Sequence, residues 1–248
     1  MGAEHSRPPS TFGRRHGPRL RPARRALLAT LLPRLALAVP TGSASAPTAI
    51  DPAAAFGSTI TDLWLEIGFG AGEHLAAQAA AHPEIGLIGC EPYVNGVAAL
   101  LSRIDAVGLT NIRIVADDAR PLLAALPAAC LGRVFILFPD PWPKRRHHKR
   151  RLISTRALAE LARVMKDDAE LRLATDHREY ARWMLRHLLA DPDFFWTARC
   201  PRDWREAPPD WPETRYQIKA AAAGRPAMFL RFRRRVRGRP AENRRPRA

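Results

Sequence analysis

One segment of this chain places an acid and an indole inside a rigid loop beside a dense run of cations. The apolar residues from Val134 to Phe138 are typical of a buried strand. This strand ends at Pro139-Asp140-Pro141-Trp142-Pro143, where three prolines restrict the backbone around the carboxylate. Residues 144–151 then comprise six lysines or arginines and two histidines. A rigid carboxylate beside these cations predicts a reacting site for a polyanionic substrate.

A glycine-rich motif follows an earlier predicted strand, at residues 63–67. Its members are Glu66, Gly68, Gly70 and Gly72. Glycines here allow the backbone to approach a ligand and to turn sharply into a helix. A dinucleotide-binding turn would need another glycine where this chain has Glu73, and an acid at a helix start repels a pyrophosphate. The motif therefore favours a nucleoside ligand without phosphate, such as S-adenosylmethionine.

Two more acids stand where the next two predicted strands end. Glu91 follows the strand at 85–90, and a carboxylate there can accept both hydroxyls of a ribose. Asp118 follows the strand at 112–116, where it can meet an adenine amino group. The alternative is that these glycines only form turns and that the acids are solvated. The ordered set resembles the class I S-adenosylmethionine-dependent methyltransferases.

Strand and helix patterns alternate through most of the chain, which predicts a doubly wound, Rossmann-like α/β fold with a mostly parallel seven-stranded sheet. The predicted strands are 63–67, 85–90, 112–116, 134–138, 170–174, 194–197 and 228–232. The predicted helices are 73–81, 95–107, 120–126, 155–165 and 179–189, with a short helix at 23–38. Ligands of such sheets bind at the carboxyl ends of the strands, where the acids described above lie.

The net charge of +16 comes from the two ends of the chain. Residues 1–50 contain eight arginines and one acid, and residues 225–248 contain ten arginines and one acid. We therefore divide the chain into a basic, partly disordered extension (1–50), a catalytic domain (51–233) and an Arg-rich tail (234–248). Basic ends on a neutral body favour phosphate contacts. The alternative is a compositional bias, because the cations are 36 arginines and only 4 lysines.

The cysteines, histidines and N-terminal residues indicate the cellular compartment of the protein and whether it holds a metal site. Three widely spaced cysteines favour a reducing compartment, and the histidines form no zinc pattern with them, so we expect no metal. Arg24-Arg25 before an apolar run is a feature of an export signal, but Pro33-Arg34 interrupts that run. No apolar run reaches the length of a membrane span. These features favour a cytoplasmic protein without membrane contact, and they leave monomer and homodimer open.

The loop after the fourth strand narrows the resemblance to the bacterial tRNA (guanine-N7-)-methyltransferase family. The motifs that carry the resemblance are Leu65-Glu66-Ile67-Gly68-Phe69-Gly70, Phe138-Pro139-Asp140-Pro141-Trp142, Lys149-Arg150-Arg151, Ala174-Thr175-Asp176, Thr214-Arg215-Tyr216-Gln217-Ile218-Lys219 and Gly13-Arg14-Arg15-His16-Gly17. The similarity covers about residues 13 to 233. Its proline-rich loop with the basic tail is specific, whereas its glycine motif is generic.

The resemblance implies transfer of a methyl group from S-adenosylmethionine to N7 of guanine 46 in the variable loop of tRNA. It implies that Asp140 is the catalytic acid and lies near the cofactor. It also implies that S-adenosylmethionine is bound by Glu66, Gly68, Gly70, Gly72, Glu91, Asp118 and Asp140. The residues expected to contact the target nucleotide are Lys144, Asp176, Thr214, Arg215, Tyr216 and Gln217. The basic tail, with Arg145, Arg146, Lys149, Arg150 and Arg151, is expected to contact the RNA backbone.

One position departs from the family. Gln217 stands where the family usually has Glu, in a segment expected to be a loop before the last strand. An amide keeps an acceptor and adds a donor, so the expected base contact survives without its charge.

Two other functions remain open from the sequence. One is a methyltransferase that acts on another base or on a ribose. Enzymes that methylate adenine amino groups typically carry a second proline where this chain has Trp142. The other is a nucleic-acid-binding module with a vestigial cofactor pocket. Binding of S-adenosylmethionine separates that module from an enzyme.

Overall fold

A seven-stranded sheet organises the computed structural model, which describes residues 13–40, 49–57, 60–212 and 215–238. The strands are β1 (Asp62–Ile67), β2 (Ile85–Cys90), β3 (Ile112–Val115), β4 (Leu131–Leu137), β5 (Met165–Thr175), β6 (Phe194–Trp196) and β7 (Met228–Arg234). Their order across the sheet is β3-β2-β1-β4-β5-β7-β6. Strands β1 to β5 pair in parallel, and β7 pairs antiparallel with β5 and β6. This topology confirms the predicted doubly wound, mostly parallel sheet.

Helices cover both faces of the sheet. They are α1 (Pro22–Thr30), α2 (Leu32–Leu35), α3 (Glu73–Ala81), α4 (Val94–Val107), α5 (Ala119–Ala125), α6 (Thr155–Val164), α7 (Arg178–Ala190), α8 (Arg202–Arg205) and α9 (Arg215–Ala222). Side chains of α5, α6 and α7 pack on one face around Leu65, and those of α1 to α4 pack on the other face around Trp64. Successive strand residues are thus buried on opposite faces, as expected for a parallel sheet between two helical layers.

The first two helices belong to the body of the fold. Leu35 of α2 is buried, and the Leu37 N–H donates to the Ile114 carbonyl at 2.9 Å, so this segment covers the outer edge of β3. The chain turns between α1 and α2 where Pro33 occupies the first turn of α2, which splits the single helix predicted for residues 23–38. Residues 22–37 of the predicted N-terminal extension thus pack on the sheet, and the domain boundary at residue 50 stays a prediction.

The C-terminal strand carries the chain away from the carboxyl edge of the sheet. Past its end, the Arg237 guanidinium donates to the carbonyls of Ala162 and Met165, at 3.1 and 2.7 Å. Met165 is the first residue of β5, so the predicted Arg-rich tail starts at the amino edge of the parallel strands. The tail residues 239–248 lie outside the described residues.

Two local predictions needed correction. Strand β5 begins five residues earlier than predicted, because Lys166 to Asp168 continue the chain beside β4 across a register shift. The segment predicted as a loop around Gln217 forms the helix α9. That segment is rich in Arg, Gln, Lys and Ala, which are good helix formers. In the part of the chain that the structure describes, no helix is long and apolar enough to cross a bilayer.

Candidate active site

Strands β1 to β4 end around a cavity of about 480 Å³. Six of the seven predicted cofactor residues line this cavity, among them the predicted catalytic acid: Glu66, Gly68, Gly70, Glu91, Asp118 and Asp140. The structure therefore brings acids from four strand ends together at the carboxyl edge of the sheet. This is the position where a doubly wound sheet binds its ligand.

The glycine loop that follows β1 is held open by Glu91. Gly68 and Gly70 have φ of +77° and +57°, in the left-handed region that favours glycine. The Glu91 carboxylate accepts from the N–H groups of Gly70 and Tyr93, at 2.8 and 2.9 Å. These bonds fix the loop against the end of β2. Each carboxylate oxygen keeps a further lone pair that a ribose hydroxyl can use.

Gly72 is not part of the cavity wall. Its φ of +73° starts α3, and a Cβ at this position would lie 2.6 Å from a methyl carbon of Leu100. Gly72 is therefore needed for the turn and for close packing of α3 on α4. The packing accounts for a glycine at position 72, and its assignment to cofactor contact stays a prediction.

The ionisation of Glu91 is shaped by burial. Burial raises the pKa of Glu91 above its ordinary value, and the backbone hydrogen bonds from Tyr93 and Gly70 oppose this rise. The nearby negative charges of Asp140 and Glu66 raise the pKa of Glu91 further. A positively charged ligand in the cavity would relieve this repulsion between the carboxylates.

Glu66 has a buried partner that the sequence analysis missed. Its Oε2 atom lies 2.7 Å from Nδ1 of His74, and both side chains are almost fully buried. The His74 ring also packs edge-on against Phe135, with ring centroids 4.6 Å apart. His74 is the second residue of α3, and its only sequence signal is its place on the apolar side of that helix. Glu66 therefore reaches the cavity from a fixed position.

Asp118 joins the cavity wall while it caps α5. Its carboxylate accepts from the Arg120 backbone N–H at 2.8 Å and from Nε and Nη2 of the Arg120 guanidinium, at 2.9 and 2.8 Å. The neighbouring Asp117 forms an ion pair with Arg15. Asp118 thus faces the cavity as a fixed acceptor, and its pairing with Arg120 was not visible in the sequence.

The N-terminal basic segment forms part of the same wall. Gly13 and Arg14 line the cavity. The Arg15 carbonyl accepts from the Val94 N–H at 2.9 Å, and the Gly17 N–H donates to Asn95 at 2.9 Å. These bonds place residues 13–17 over the start of α4, a contact that no local pattern of the sequence indicates.

The loop that carries Asp140 is strained. Phe138 and Trp142 have φ of +49° and +42°, which bulky side chains rarely adopt. The Phe138 N–H donates to the Ala174 carbonyl of β5 at 2.7 Å, which fixes the start of the loop. Surrounding protein atoms displace water from Asp140 and raise its pKa above the ordinary value. A strained loop thus presents a carboxylate to the cavity.

Arg151 supports this loop from below, instead of lying on the surface. Its side chain is fully buried, and it donates to the carbonyls of Pro141 and Trp142, at 2.9 and 3.4 Å. It also forms an ion pair with Glu179 of α7, and this hydrogen bond lowers the pKa of Glu179. The guanidinium lies over the ring of Trp183, 4.7 Å from its centroid. This burial favours a structural role for Arg151, and its predicted contact with an RNA phosphate stays a prediction for experiment to test.

The other cations of this run are accessible. Residues Arg145–Arg150 form a short 3-10 helix next to the loop. Exposed members of the basic run are Lys144, Arg145, Arg146 and Lys149. Arg150 is half-buried, with its guanidinium 4.9 Å from the ring centroid of Trp142. The indole of Trp142 is half-buried at the cavity and does not belong to the hydrophobic core.

Two of the predicted target-nucleotide residues that the structure describes have protein partners. Asp176 pairs with Arg225 at 2.8 Å, and Arg215 pairs with Glu73 at the start of α3. Gln217 lies on the first turn of α9, half-buried. Thr214 lies outside the described residues, and only the backbone of Tyr216 is described, within α9. The contacts of these residues with a nucleotide stay a prediction.

Comparison with known proteins places these features among methyltransferases. The family described as "Putative methyltransferase" (Methyltransf_4) matches residues 61–230. A tRNA (guanine-N(7)-)-methyltransferase of Rhodospirillum rubrum is 53% identical, over 91% of this chain and 88% of its own length. A protein of the same name from Nitrobacter hamburgensis is 50% identical, over 91% of this chain and 86% of its own length. Among solved structures, the aminoglycoside resistance methyltransferase NpmB1 is 18% identical over 71% of this chain and 89% of that chain, at a TM-score of 0.49.

Proposed function

This chain belongs to the tRNA (guanine-N(7)-)-methyltransferase family, and on that premise we propose that it methylates N7 of guanine 46 in tRNA with S-adenosylmethionine as the methyl donor. The observation that carries the proposal is the placement of Asp140. This acid lies in the same cavity as Glu91 and the glycine loop, and the exposed cations Lys144 to Lys149 begin four residues later.

The donor groups of the cavity fit this cofactor. Gly68 and Gly70 leave room for a ligand against the backbone, and Glu91 offers acceptors for the two ribose hydroxyls. Oδ2 of Asp118 keeps a lone pair for an adenine amino group. Glu73 stands where a pyrophosphate would need a glycine, which favours a ligand without phosphate. The six acids that line the cavity also match the positive charge of a sulfonium.

The chemistry requires little proton transfer. Guanine N7 carries a lone pair and no proton, so the nucleophile needs no general base. The bound cofactor supplies a methyl group that is already activated on sulfur. The protein must hold N7 in line with that methyl group and stabilise the positive charge that moves onto the purine. Asp140 suits the second task, and the Arg151-supported loop suits the first.

The RNA would approach over the cationic helix. Lys144, Arg145, Arg146 and Lys149 are exposed beside the loop, where they can contact phosphates. Trp142 lines the cavity and can support an extruded base by stacking. We place the reaction in the cytoplasm, in line with the free cysteines of the described chain.

The decisive experiment is incubation with unmodified tRNA and methyl-labelled S-adenosylmethionine, followed by nucleoside analysis. We expect the label in 7-methylguanosine at position 46 of the variable loop. Label in another base or in a ribose would support the other methyltransferase class instead. If the protein bound tRNA but not S-adenosylmethionine at equilibrium, it would be a binding module with a vestigial pocket.

We expect Glu91→Ala to weaken S-adenosylmethionine binding by about tenfold or more, because a charged acceptor is worth roughly 1.5–3 kcal/mol. The loss also frees the N–H groups that hold the glycine loop. Isothermal titration of cofactor into the protein alone measures this loss of affinity.

The raised pKa of Glu91 predicts a pH dependence of cofactor binding. The affinity of the wild type should fall on acidification, beginning at a pH above the pKa of an ordinary glutamate, and Glu91→Gln should lack this fall. An unchanged dissociation constant would remove Glu91 from the site.

Replacement of Arg145, Arg146, Lys149 and Arg150 by alanine should flatten the salt dependence of tRNA binding. Each lost phosphate contact lowers the log–log slope by roughly 0.7–0.9. The slope is measured by filter binding or fluorescence at several salt concentrations. Arg186→Ala is the matched control, because this exposed arginine lies in the last turn of α7, which points to the amino edge of the sheet. If the fourfold variant kept the wild-type slope, the run would be only a solvated surface.

A further inference from the structure

Two arginines from different helices bind the acid that follows the glycine loop. Glu73 is the first residue of α3, and its side chain is only 14% exposed. Its Oε1 atom lies 3.0 Å from Nη2 of Arg103 on α4, and the same oxygen pairs with Nε of Arg215 on α9. Arg103 also donates to the Ala71 carbonyl inside the glycine loop, at 3.1 Å. Glu73 therefore connects the glycine loop to the first turn of α9.

The segment around α9 is anchored on both sides of this contact. Before it, Asp210 pairs with the buried Arg172 at 2.9 Å, and the Asp210 carbonyl accepts from Gln78 of α3 at 3.1 Å. After it, Arg225 pairs with Asp176 at the end of β5. These anchors fix where the segment leaves and rejoins the sheet. The Glu73–Arg215 pair sets how closely the first turn of α9, with Gln217, approaches the cavity.

We propose that Glu73 is a positioning residue for tRNA binding. Through Arg215 it holds α9 beside the glycine loop, so that the target nucleotide meets a preformed surface. This inference rests on the proposed function. Glu73 acts through Arg215, and it has no part in the methyl-transfer step. The cofactor loop and the substrate helix are thereby joined through a single carboxylate.

The effect of neutralising Glu73 should be modest and confined to tRNA. Half-exposed ion pairs contribute little each, so Glu73→Gln should raise the KM for tRNA about three- to fivefold. The kcat should stay within about twofold of wild type, and the KM for tRNA is measured with S-adenosylmethionine at saturation, because Glu73 also lines the cofactor cavity. Glu73→Arg places three cations together and should raise the KM for tRNA by more than about tenfold.

A charge swap separates positioning from direct RNA contact by Arg215. In the double variant Glu73→Arg with Arg215→Glu, the pair between positions 73 and 215 is restored with reversed polarity, and the carboxylate at position 215 faces the arginines at positions 73 and 103 but cannot bind phosphate. We expect this variant to recover a KM within about threefold of wild type. If it is no better than Arg215→Glu alone, Arg215 acts by contacting RNA, and the proposal is overturned.

The remaining controls keep the test decisive. Glu160→Gln removes a comparable Glu–Arg pair from α6, on the other face of the sheet, and should leave both constants unchanged. If the defect of Glu73→Gln disappeared when S-adenosylmethionine was raised to saturation, Glu73 would act on the cofactor alone and the proposal would be overturned, as it would by a wild-type KM for tRNA in both Glu73 variants. Thermal unfolding checks that each variant is folded. If Glu73→Arg does not fold, Glu73→Gln alone carries the test. Failure of the proposed function would appear instead in the wild type, as absence of 7-methylguanosine.

Discussion

Asp140→Asn should lower the single-turnover rate of guanine methylation by about 100-fold, the effect of removing one preorganised electrostatic group. Asparagine keeps the size of the side chain and its place between two prolines, so the geometry of the loop survives. The charge is lost, and with it the stabilisation of the positive purine. Rapid quenching of a mixture of enzyme, cofactor and tRNA, with enzyme in excess, isolates this step from product release.

The pH dependence gives this prediction an independent readout. The pKa of Asp140 is raised, so the wild-type rate should fall on acidification as this carboxylate takes up a proton, at a pH above that of an ordinary aspartate. Asp140→Asn has no carboxylate to protonate at this position, so its single-turnover rate should not show this fall at low pH. A near-normal rate with an unchanged profile would reduce Asp140 to a residue that only shapes the loop.

Stability should change in the opposite sense to activity. A raised pKa means that the folded protein holds the Asp140 proton more tightly than the unfolded chain does. The contribution of this group to stability is therefore favourable at low pH and is lost as the pH rises through the folded-state pKa. At neutral pH, Asp140→Asn should leave the Tm unchanged or raise it. Such a trade-off is common where a site holds an unfavourable charge for function.

The sequence predicted those parts of the site that depend on local patterns. Glu66, Glu91 and Asp140 each lie at or just after the end of a recognisable apolar strand, and parallel strands bring their carboxyl ends to one edge, so these acids could be placed together from the sequence. The rigid loop around Asp140 was visible because proline acts on its own neighbours. These inferences need no knowledge of which distant residues meet.

The parts that the sequence did not predict depend on partners far along the chain. Glu179 meets Arg151 from 28 residues away, and Arg215 meets Glu73 across the whole domain. A cation in a basic run gives no sign of whether it faces solvent or the interior, because that choice depends on the aromatic and acidic groups of α7. The helix α9 lies where a loop was predicted, although the local composition of this segment favours a helix.

The buried arginine leads to the second large effect. Arg151 supports two carbonyls of the strained loop and stacks on Trp183 while it pairs with Glu179. A planar guanidinium can make all these contacts at once, whereas an ammonium group cannot. Arg151→Lys should therefore keep the charge but release the carbonyls of Pro141 and Trp142, and the strained loop should relax away from the cavity.

We expect Arg151→Lys to lower kcat by about 100-fold, the size of loss that a displacement of roughly 1 Å produces in a positioned group. Cofactor affinity should stay near wild type, because Arg151 does not line the cavity. The salt dependence of tRNA binding decides between the two roles of this residue: a phosphate contact would lower the slope, whereas a buried support leaves it unchanged. Glu179→Gln is the matched control and should cost much less, because Glu179 is half-exposed and the loop carbonyls keep their donor. A lysine variant with wild-type kcat would show that the loop holds its strained form through its prolines alone.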